Sequence, residues 1–362
     1  MITSKKHVVV AMSGGVDSST VAAILKEQGY RVTGMMLRLW SEAGKEELNR
    51  CCTPDSIFNA KRVAAILDIP FYVVDAKNDF YNNVVQYFLD GYSAGLTPNP
   101  CIMCNKTIRW GKLLDQAMES GADFFATGHY ARILYENDGS VRLFTGIDIS
   151  KDQSYVLSML DQRQLQKTIL PLGSMTKTEV RAYAARVKLP VAEKPESQDL
   201  CFLGDENYYD FLHKYRSESL KPGPILTLTG KEIGRHKGLA AYTVGQRKGI
   251  GVADNSPYYV VDKDPEQNAL IVGKSTDLQY KRFIAYNFNW INGTPNLKEF
   301  SADVMVRYRA SRAPALIRVV DERKALIQLS EPRRDIAQGQ LAVVYKGDEV
   351  LGGGIIQNEV NK

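Results

Sequence analysis

A glycine-rich turn near the N-terminus constrains the fold more than any other feature. The apolar run His7–Met12 leads into Ser13-Gly14-Gly15-Val16-Asp17-Ser18-Ser19, and Ser18–Gln28 then carries helical spacing closed by Gly29. Two glycines let the backbone turn tightly and bring its N–H groups close to a ligand. The helix dipole and its open N–H groups favour an anion, and three serine hydroxyls add donors. A Walker A loop would end in Gly-Lys-Ser/Thr, and no lysine stands here. The loop therefore suits pyrophosphate held on backbone and hydroxyls, with Asp17 placed to orient Mg²⁺. A plainer reading is a strand-to-helix turn with Asp17 or Ser18 as N-cap, stabilising the helix by roughly 1 kcal/mol. Its position at the end of the first strand of an open α/β sheet, where such folds bind ligands, favours the nucleotide.

The apolar runs Val32–Leu39 and Pro70–Asp75 predict two further strands, with a helix over Asp55–Leu67 between them. Asp123–Thr127 predicts a fourth strand after the amphipathic Ile108–Glu119, and Lys177–Val187 a later helix. Strands alternating with helices imply a parallel sheet covered on both faces. After about Cys201 the pattern changes. Lys221-Pro222-Gly223-Pro224 is a turn-rich break, and helical spacing largely disappears. Ala315–Val320 with Ala325–Leu329, and Leu341–Tyr345 with Val350–Ile356, predict hairpins of a small antiparallel barrel. The chain is long enough for roughly two to three domains. The expected organisation is an α/β domain over 1–210, a small linking domain over 211–280 and a C-terminal β-barrel over 281–362.

Composition narrows the class of function. Lys and Arg number 46 against 41 Asp and Glu, an excess that permits a polyanionic partner without announcing one. A hydrophobic fraction of 44% and a charged fraction of 24% exclude a disordered or collagen-like chain. No run is apolar and long enough to predict a membrane-spanning helix. Met1–Lys6 enters the first strand with no signal-peptide pattern, which points to the cytoplasm. The 5 cysteines are an odd number in a chain of this length. A disulfide scaffold is thus not expected, and a distinctive cysteine becomes a candidate for chemistry or metal.

The distinctive cysteines lie in Asn99-Pro100-Cys101-Ile102-Met103-Cys104-Asn105-Lys106 and, far downstream, in Ser197-Gln198-Asp199-Leu200-Cys201-Phe202. A Cys-x-x-Cys pair beside a helix start favours thiolate, and Lys106 and Arg109 supply cations. Cys104, between Met103 and Asn105, is equally compatible with a packing role. Cys51-Cys52, entering a helix, read as packing residues.

The loop string resembles the PP-loop of ATP pyrophosphatases, which adenylate a substrate and release pyrophosphate. On that resemblance Ala11, Met12, Ser13, Gly14, Gly15, Val16, Asp17 and Ser18 hold the nucleotide, while Leu37 and Gly128 line the adenosine pocket. Five more strings follow in order: Asn99–Lys106, Ala126-Thr-Gly-His-Tyr-Ala-Arg132, Lys151-Asp-Gln-Ser-Tyr155, Glu196-Ser-Gln-Asp-Leu-Cys201 and Tyr242-Thr-Val-Gly-Gln-Arg-Lys248. With the closing Gly352-Gly353-Gly354, essentially the whole chain resembles the tRNA-specific 2-thiouridylase family.

The resemblance implies 2-thiolation of uridine 34, the wobble base of tRNAs for Lys, Glu and Gln. ATP adenylates O2, making AMP the leaving group, and sulfur arrives as a persulfide from a cysteine desulfurase or a sulfur-relay protein. Cys201 matches the residue that receives the persulfide sulfur and Cys104 its partner nucleophile, leaving a Cys104–Cys201 disulfide to be reduced. Thiolates and persulfides suit such chemistry. Many family members carry Asp where this chain has Cys101. Cys101, Cys104 and Cys201 therefore also suggest a [4Fe–4S] cluster with its fourth iron open to hydrosulfide. Zinc, which wants four ligands in a structural site, is less suited. Relay and cluster both stand at this point.

For the RNA, the resemblance places Asn99, Pro100 and Cys101 beside the target base, which must be splayed from its loop into a pocket. His129, Lys151-Asp152-Gln153, Arg307-Tyr308 and Gln340 match further tRNA contacts, and the family acts as a monomer on one tRNA. Each has a plain reading as well. His129 suits an ordinary strand end, and the triplet a solvated loop. Arg307, Tyr308, Arg309 and Arg312 interleave cations with a ring, as RNA readers do. Alternation along a strand would equally place Arg307 and Arg309 on one solvent face. Gly245-Gln-Arg-Lys248 suits a cationic loop near phosphate. Two other functions compete: an adenylating ligase or amidotransferase on a small metabolite, and a non-catalytic RNA-binding protein with a relic loop. The first leaves the barrel and the distant cysteines unexplained.

Overall fold

Val8, Val9 and Val10 have no solvent exposure, because strand β1 (His7–Ala11) lies inside a parallel sheet covered on both faces. β2 (Arg31–Arg38), β3 (Phe71–Asp75), β4 (Phe124–Ala126) and β7 (Thr168–Ile169) complete it in the order β3-β2-β1-β4-β7. Every pairing is parallel. The chain adds strands to one side of β1 and then crosses to the other, so a switch point falls between β1 and β4. The carboxyl ends of strands at such a point splay apart and leave a crevice.

The structure, a computed structural model, describes residues 5–42, 44–45, 52–195, 200–334 and 336–357. By its contacts the chain divides into two units. The first comprises Met1–Val85, Cys101–Asp205 and Asp348–Val350. It holds the parallel sheet and a hairpin of β5 (Ala131–Tyr135) and β6 (Val141–Thr145), onto which Glu349 and Val350 add. Arg142 pairs there with Glu136 and Glu349.

Two helices of this unit matter for the site. Val16–Glu27 starts earlier than its spacing predicts. Its N-cap is Gly15, with no side-chain cap, and not Asp17 or Ser18. Gly29 then adopts φ +89° behind the C-cap, as its place after the periodic stretch anticipates. The second helix opens as Pro100–Met103, widens into a π-helical stretch at Cys104–Leu113 and closes as Leu114–Glu119. π-Helical stretches are rare and gather at functional sites. This one is supported from outside, since Gln164 Nε2 donates to the carbonyls of Lys106 (3.2 Å) and Trp110 (2.9 Å). Asn105 Nδ2 donates to Val156 O at 3.2 Å.

The second unit comprises Gln86–Pro100, Glu206–Gly347 and Leu351–Lys362. Helix Tyr208–Tyr215 is one the sequence pattern did not announce; it buries Phe211 against Phe88, with centroids 6.1 Å apart. A four-stranded sheet follows in the order β10-β11-β8-β9, from β8 (Gly223–Thr227), β9 (Glu232–His236), β10 (Tyr259–Asp264) and β11 (Ala269–Gly273). Last come β12 (Tyr280–Trp290), β13 (Glu299–Met305), β14 (Ala313–Asp321), β15 (Lys324–Arg333), β16 (Leu341–Lys346) and β17 (Glu349–Gln357). β12 pairs antiparallel with both β15 and β17, which closes the six strands into the expected barrel. Phe283, Phe288, Ile317, Ile327 and Val344 fill it. Among the described residues no helix is long and apolar enough to cross a membrane.

Candidate active site

The glycine turn sits at the switch point, with each glycine in a place that excludes a side chain or keeps a path open. Gly14 has φ +70°, and a Cβ there would lie 2.2 Å from the Ser56 carbonyl oxygen. At Gly15 an added Cβ meets only Ser13 Oγ, at 3.5 Å, so the first turn of the helix faces open space. Gly128, just past β4, would place a Cβ 3.0 Å from Ser18 N. The segment after β4 therefore approaches the first turn of helix Val16–Glu27 closely, and only glycine permits it.

A cleft of about 180 Å³ opens above these ends. Ala11, Met12, Ser13, Asp17, Ser18, Leu37 and Gly128 line it, all expected nucleotide contacts. Gly14, Gly15 and Val16 belong to the same turn but not to the lining. His129 and Gln153, expected at the RNA, line the same cleft, as do Leu39, Arg109, Leu113 and Thr127. Two sets of residues read separately in the sequence thus meet in one cavity.

The serines share less than the sequence suggests. Ser18 Oγ accepts from Ser13 N at 3.1 Å, and Ser19 Oγ donates to Gly15 O at 2.8 Å. Ser19 is fully buried, so only Ser13 keeps an exposed hydroxyl. Asp17 is held by two partners from elsewhere in the chain. Tyr130 OH donates to Oδ1 at 2.8 Å, and Lys177 Nζ reaches Oδ1 at 2.8 Å and Oδ2 at 2.9 Å. Asp17 remains partly exposed in the cleft, so its carboxylate fits a divalent cation carried by a nucleotide. The uncapped helix start behind it fits the phosphates.

His129 is buried between Thr127, Arg109 and the Trp110 ring, whose centroid lies 5.2 Å away. Burial, with the Arg109 guanidinium beside it, pushes its pKa down to about 3. The imidazole is therefore neutral at ordinary pH. A guanidinium can only donate, so Nε2 accepts from Arg109 at 3.5 Å and Nδ1–H donates to Thr127 Oγ1 at 2.7 Å. Arg109 also donates to Asn105 Oδ1, at 3.1 Å. Gln153 is oriented by Tyr130, whose N–H donates to Gln153 Oε1 at 3.1 Å. Asp152 is a turn anchor, accepting from Gly146 N and from Ser154 N and Oγ. Lys151, half-exposed beside it, closes its turn onto Asp148 O at 3.0 Å.

The π-helical stretch connects the cysteine motif with the cleft. Cys104 is its first residue, and Arg109 and Leu113, which line the cleft, lie one and two turns on. Cys104 is buried, Cys101 exposed and Cys201 half-buried. Phe202, next to Cys201, packs edge-on against Phe80 with centroids 6.0 Å apart. Residues 196–199 of the Glu196–Cys201 string, and Cys51, lie outside the described residues. Cys52 is buried, its Sγ 3.3 Å from Leu39 N, in keeping with packing. Among the described residues no three Cys, His, Asp or Glu side chains converge as metal ligands. A cluster on Cys101, Cys104 and Cys201 does not fit this arrangement.

The second unit holds the remaining expected contacts. The Asn99 main chain hydrogen-bonds the Tyr87 phenol, and Pro100 is buried. Gln340 Nε2 donates to Thr97 O at 2.7 Å, while Thr97 N donates to Gln338 O at 2.8 Å. Gln340 is thus a brace on the segment leading to Asn99. Arg307, Tyr308 and Arg309 lie in the loop between β13 and β14, with Arg309 at φ +63°. Strand alternation on one face therefore does not apply to them. Arg307 and Arg309 are exposed, whereas Arg312 stacks on Tyr345 at 3.8 Å and donates to Gly347 O. Arg247 and Lys248 are exposed too, in a loop cross-braced by Gln246.

Three descriptions match the chain in succession: tRNA methyl transferase HUP domain over residues 6–205, tRNA methyl transferase PRC-barrel domain over 209–274, and aminomethyltransferase beta-barrel domain over 280–356. Full-length relatives carry another name. The tRNA-specific 2-thiouridylase MnmA of Chloroflexus aurantiacus is 47% identical, covering 97% of this chain and 98% of that protein. Its namesake in Moorella thermoacetica is 46% identical over 97% and 99%, and that of Carboxydothermus hydrogenoformans 44% over 99% and 100%. Among solved structures, a 4-thiouridine synthetase–RNA complex with bound ATP overlaps 59% of this chain and 51% of its own at 16% identity. Its TM-score is 0.38, too low to bear on function.

Proposed function

This chain belongs to the tRNA-specific 2-thiouridylase family, and from that membership we propose how its residues carry out ATP-dependent thiolation of a tRNA uridine. It is a tRNA sulfurtransferase. The finer reading is 2-thiolation of uridine 34 by adenylation at O2 and transfer of a persulfide sulfur. The observation that carries it is the shared cleft, in which Ser13, Asp17 and Gly128 of the nucleotide motifs face His129 and Gln153 of the RNA motifs.

In this reading the open first turn of helix Val16–Glu27 and the Ser13 hydroxyl hold the phosphates, while Leu37 and Gly128 face the adenosine. Mg²⁺ on Asp17 would neutralise the departing pyrophosphate. Uridine O2 attacks the α-phosphorus, the bond to pyrophosphate breaks, and O2 leaves later as part of AMP. Arg109, on the cleft lining, suits the negative charge that builds on the α-phosphate and on the adenylated oxygen, since fixed charge in a desolvated cleft is effective there. His129, being neutral, holds Arg109 without competing for the phosphate. The terminal sulfur of a Cys201 persulfide then attacks C2 and expels AMP. The Cys104 thiolate attacks Cys201 Sγ, which frees the thiouridine and leaves a Cys104–Cys201 disulfide for reduction. Cys104 lies one helical turn from Arg109 of the cleft, which favours its part in this step.

Exposed Arg307 and Arg309 and the Tyr308 ring suit phosphate and base contacts, and Asn99 with Pro100 suits the target base. A protein persulfide donor, a monomeric enzyme on one tRNA and a cytoplasmic setting complete the proposal. The test is mass spectrometry of nucleosides from tRNA incubated with ATP and a persulfide donor. Wild type should yield 2-thiouridine, and Cys104→Ser and Cys201→Ser should yield none while still releasing pyrophosphate when tRNA is added. Thiolation by either variant at the wild-type rate would overturn the relay. Pyrophosphate release stimulated by an amino acid instead of tRNA would favour a metabolite ligase.

A further inference from the structure

The nucleotide loop has no lysine of its own, yet the fold brings two to it: Lys194 Nζ donates to Gly14 O at 3.3 Å and lies 3.6 Å from Asp55, and Lys177 reaches the loop's carboxylate. Lys177 opens helix Lys177–Arg186, and the reciprocal bonds of Thr176 and Glu179 hold that helix start in place. Its Nζ lies within 2.9 Å of both Asp17 oxygens, and its side chain is only 11% exposed. This is an unusual place for a cation. The N-terminal turn of a helix carries positive partial charge and favours anions. Acidic groups offset this: Asp148 accepts from Lys177 N at 2.9 Å, and Asp17 accepts from the ammonium. The carboxylate expected to hold a metal ion is thus already matched by an internal cation.

We propose that Lys177 is an exchangeable counter-ion for Asp17. Without nucleotide it occupies the carboxylate and keeps a divalent cation off it. When ATP enters, the ammonium turns to the phosphates and Asp17 is released to the magnesium ion that accompanies them. The chemistry of the two groups permits the exchange. Lysine is a compact charge on a flexible four-carbon stem, able to rotate between acceptors without rebuilding a planar fork. Tyr130 OH stays on Asp17 Oδ1 and keeps the carboxylate oriented while its partner changes. Metal and nucleotide would then bind together, and the anion cradle would gain the cation that its own motif lacks. The proposal rests on the ATP reading above.

The test compares two affinities in the full-length protein: Mn²⁺ without nucleotide, by electron paramagnetic resonance, and ATP in EDTA, by calorimetry. Lys177→Met should bind Mn²⁺ alone about tenfold more tightly and ATP in EDTA about tenfold more weakly. Asp17→Asn, which keeps the size of the side chain, should lose Mn²⁺ and bind ATP in EDTA more tightly than wild type, because the ammonium is released. Opposite signs are the signature of exchange. A merely structural ion pair would weaken both affinities together in Lys177→Met, or leave both unchanged, and either result overturns the proposal. So does weaker binding of ATP in EDTA by Asp17→Asn, a variant that serves if Lys177→Met fails to fold. If wild type binds no ATP, the nucleotide reading itself fails; if Lys177→Met binds ATP as wild type does, only the role of Lys177 falls.

Discussion

The cleft of the first unit and the Arg307 loop of the second handle charge in opposite ways. In the cleft nearly every polar group has a protein partner at close range: Asp17 with Lys177 and Tyr130, His129 with Thr127 and Arg109, Ser18 with Ser13. In the loop, Arg307 and Arg309 stand in solvent. Chemistry on a phosphorus atom needs dipoles and charges fixed before the substrate arrives. Gripping a polyanion needs cations that stay hydrated and give up little on binding. The cleft should therefore answer to mutation of its backbone and to pH, and the loop to salt.

The largest effect should come from the backbone. Gly14→Ala forces a side chain into a left-handed position and against the Ser56 carbonyl. It should cost about 1–3 kcal/mol in stability, read by chemical denaturation, and sharply weaken ATP binding. Gly29→Ala shares the sign of φ but meets open space. It should cost about 1 kcal/mol and leave ATP binding alone. Equal losses in the two variants would mean that the close approach at Gly14 is unimportant.

The pH response comes next. His129 has a folded pKa of about 3 against an ordinary value of 6.5. As pH falls below the ordinary value, the unfolded chain takes up a proton that the folded imidazole refuses. Stability is therefore lost progressively from pH 6.5 down towards the folded pKa. His129→Gln should flatten that decline in denaturation curves measured across the interval. An unchanged slope would mean that the ring is not buried as a neutral base.

Smaller effects should separate the loop from the brace beside it. Arg307→Ala should weaken tRNA binding several-fold and reduce the slope of log affinity against log salt by about 1. ATP binding in the same protein should not change. Gln340→Ala removes the donor to Thr97 O. It should cost about 1 kcal/mol in stability and leave the salt slope unchanged. A salt slope that fell in Gln340→Ala and not in Arg307→Ala would reverse the assignment of contact and brace.

Local chemistry explains how much of this was legible beforehand. The strand–glycine–helix turn, the parallel sheet and the closing hairpins all announce themselves through spacing, because period and turn residues act within a few positions. Cys104 and Cys201 stood out through their strings. Arg109 did not stand out as part of the cleft, nor Lys177 as the partner of Asp17. Lys177 reads as an ordinary helix start and reaches Asp17 across 160 positions, and nothing in the intervening text marks the pairing. The π-helical stretch was also hidden, since its support comes from Gln164, which lies on another element.

From the sequence alone came the nucleotide turn and the barrel hairpins, through spacing, and the thiolation chemistry, through strings shared with a known family. Only the tertiary structure decided which groups share a cavity, that His129 is neutral, that Gln340 braces the main chain, and that Asp17 already has a cation. The reason is one of range. Backbone preference is written into neighbouring residues, whereas burial and charge pairing depend on what distant segments bring alongside.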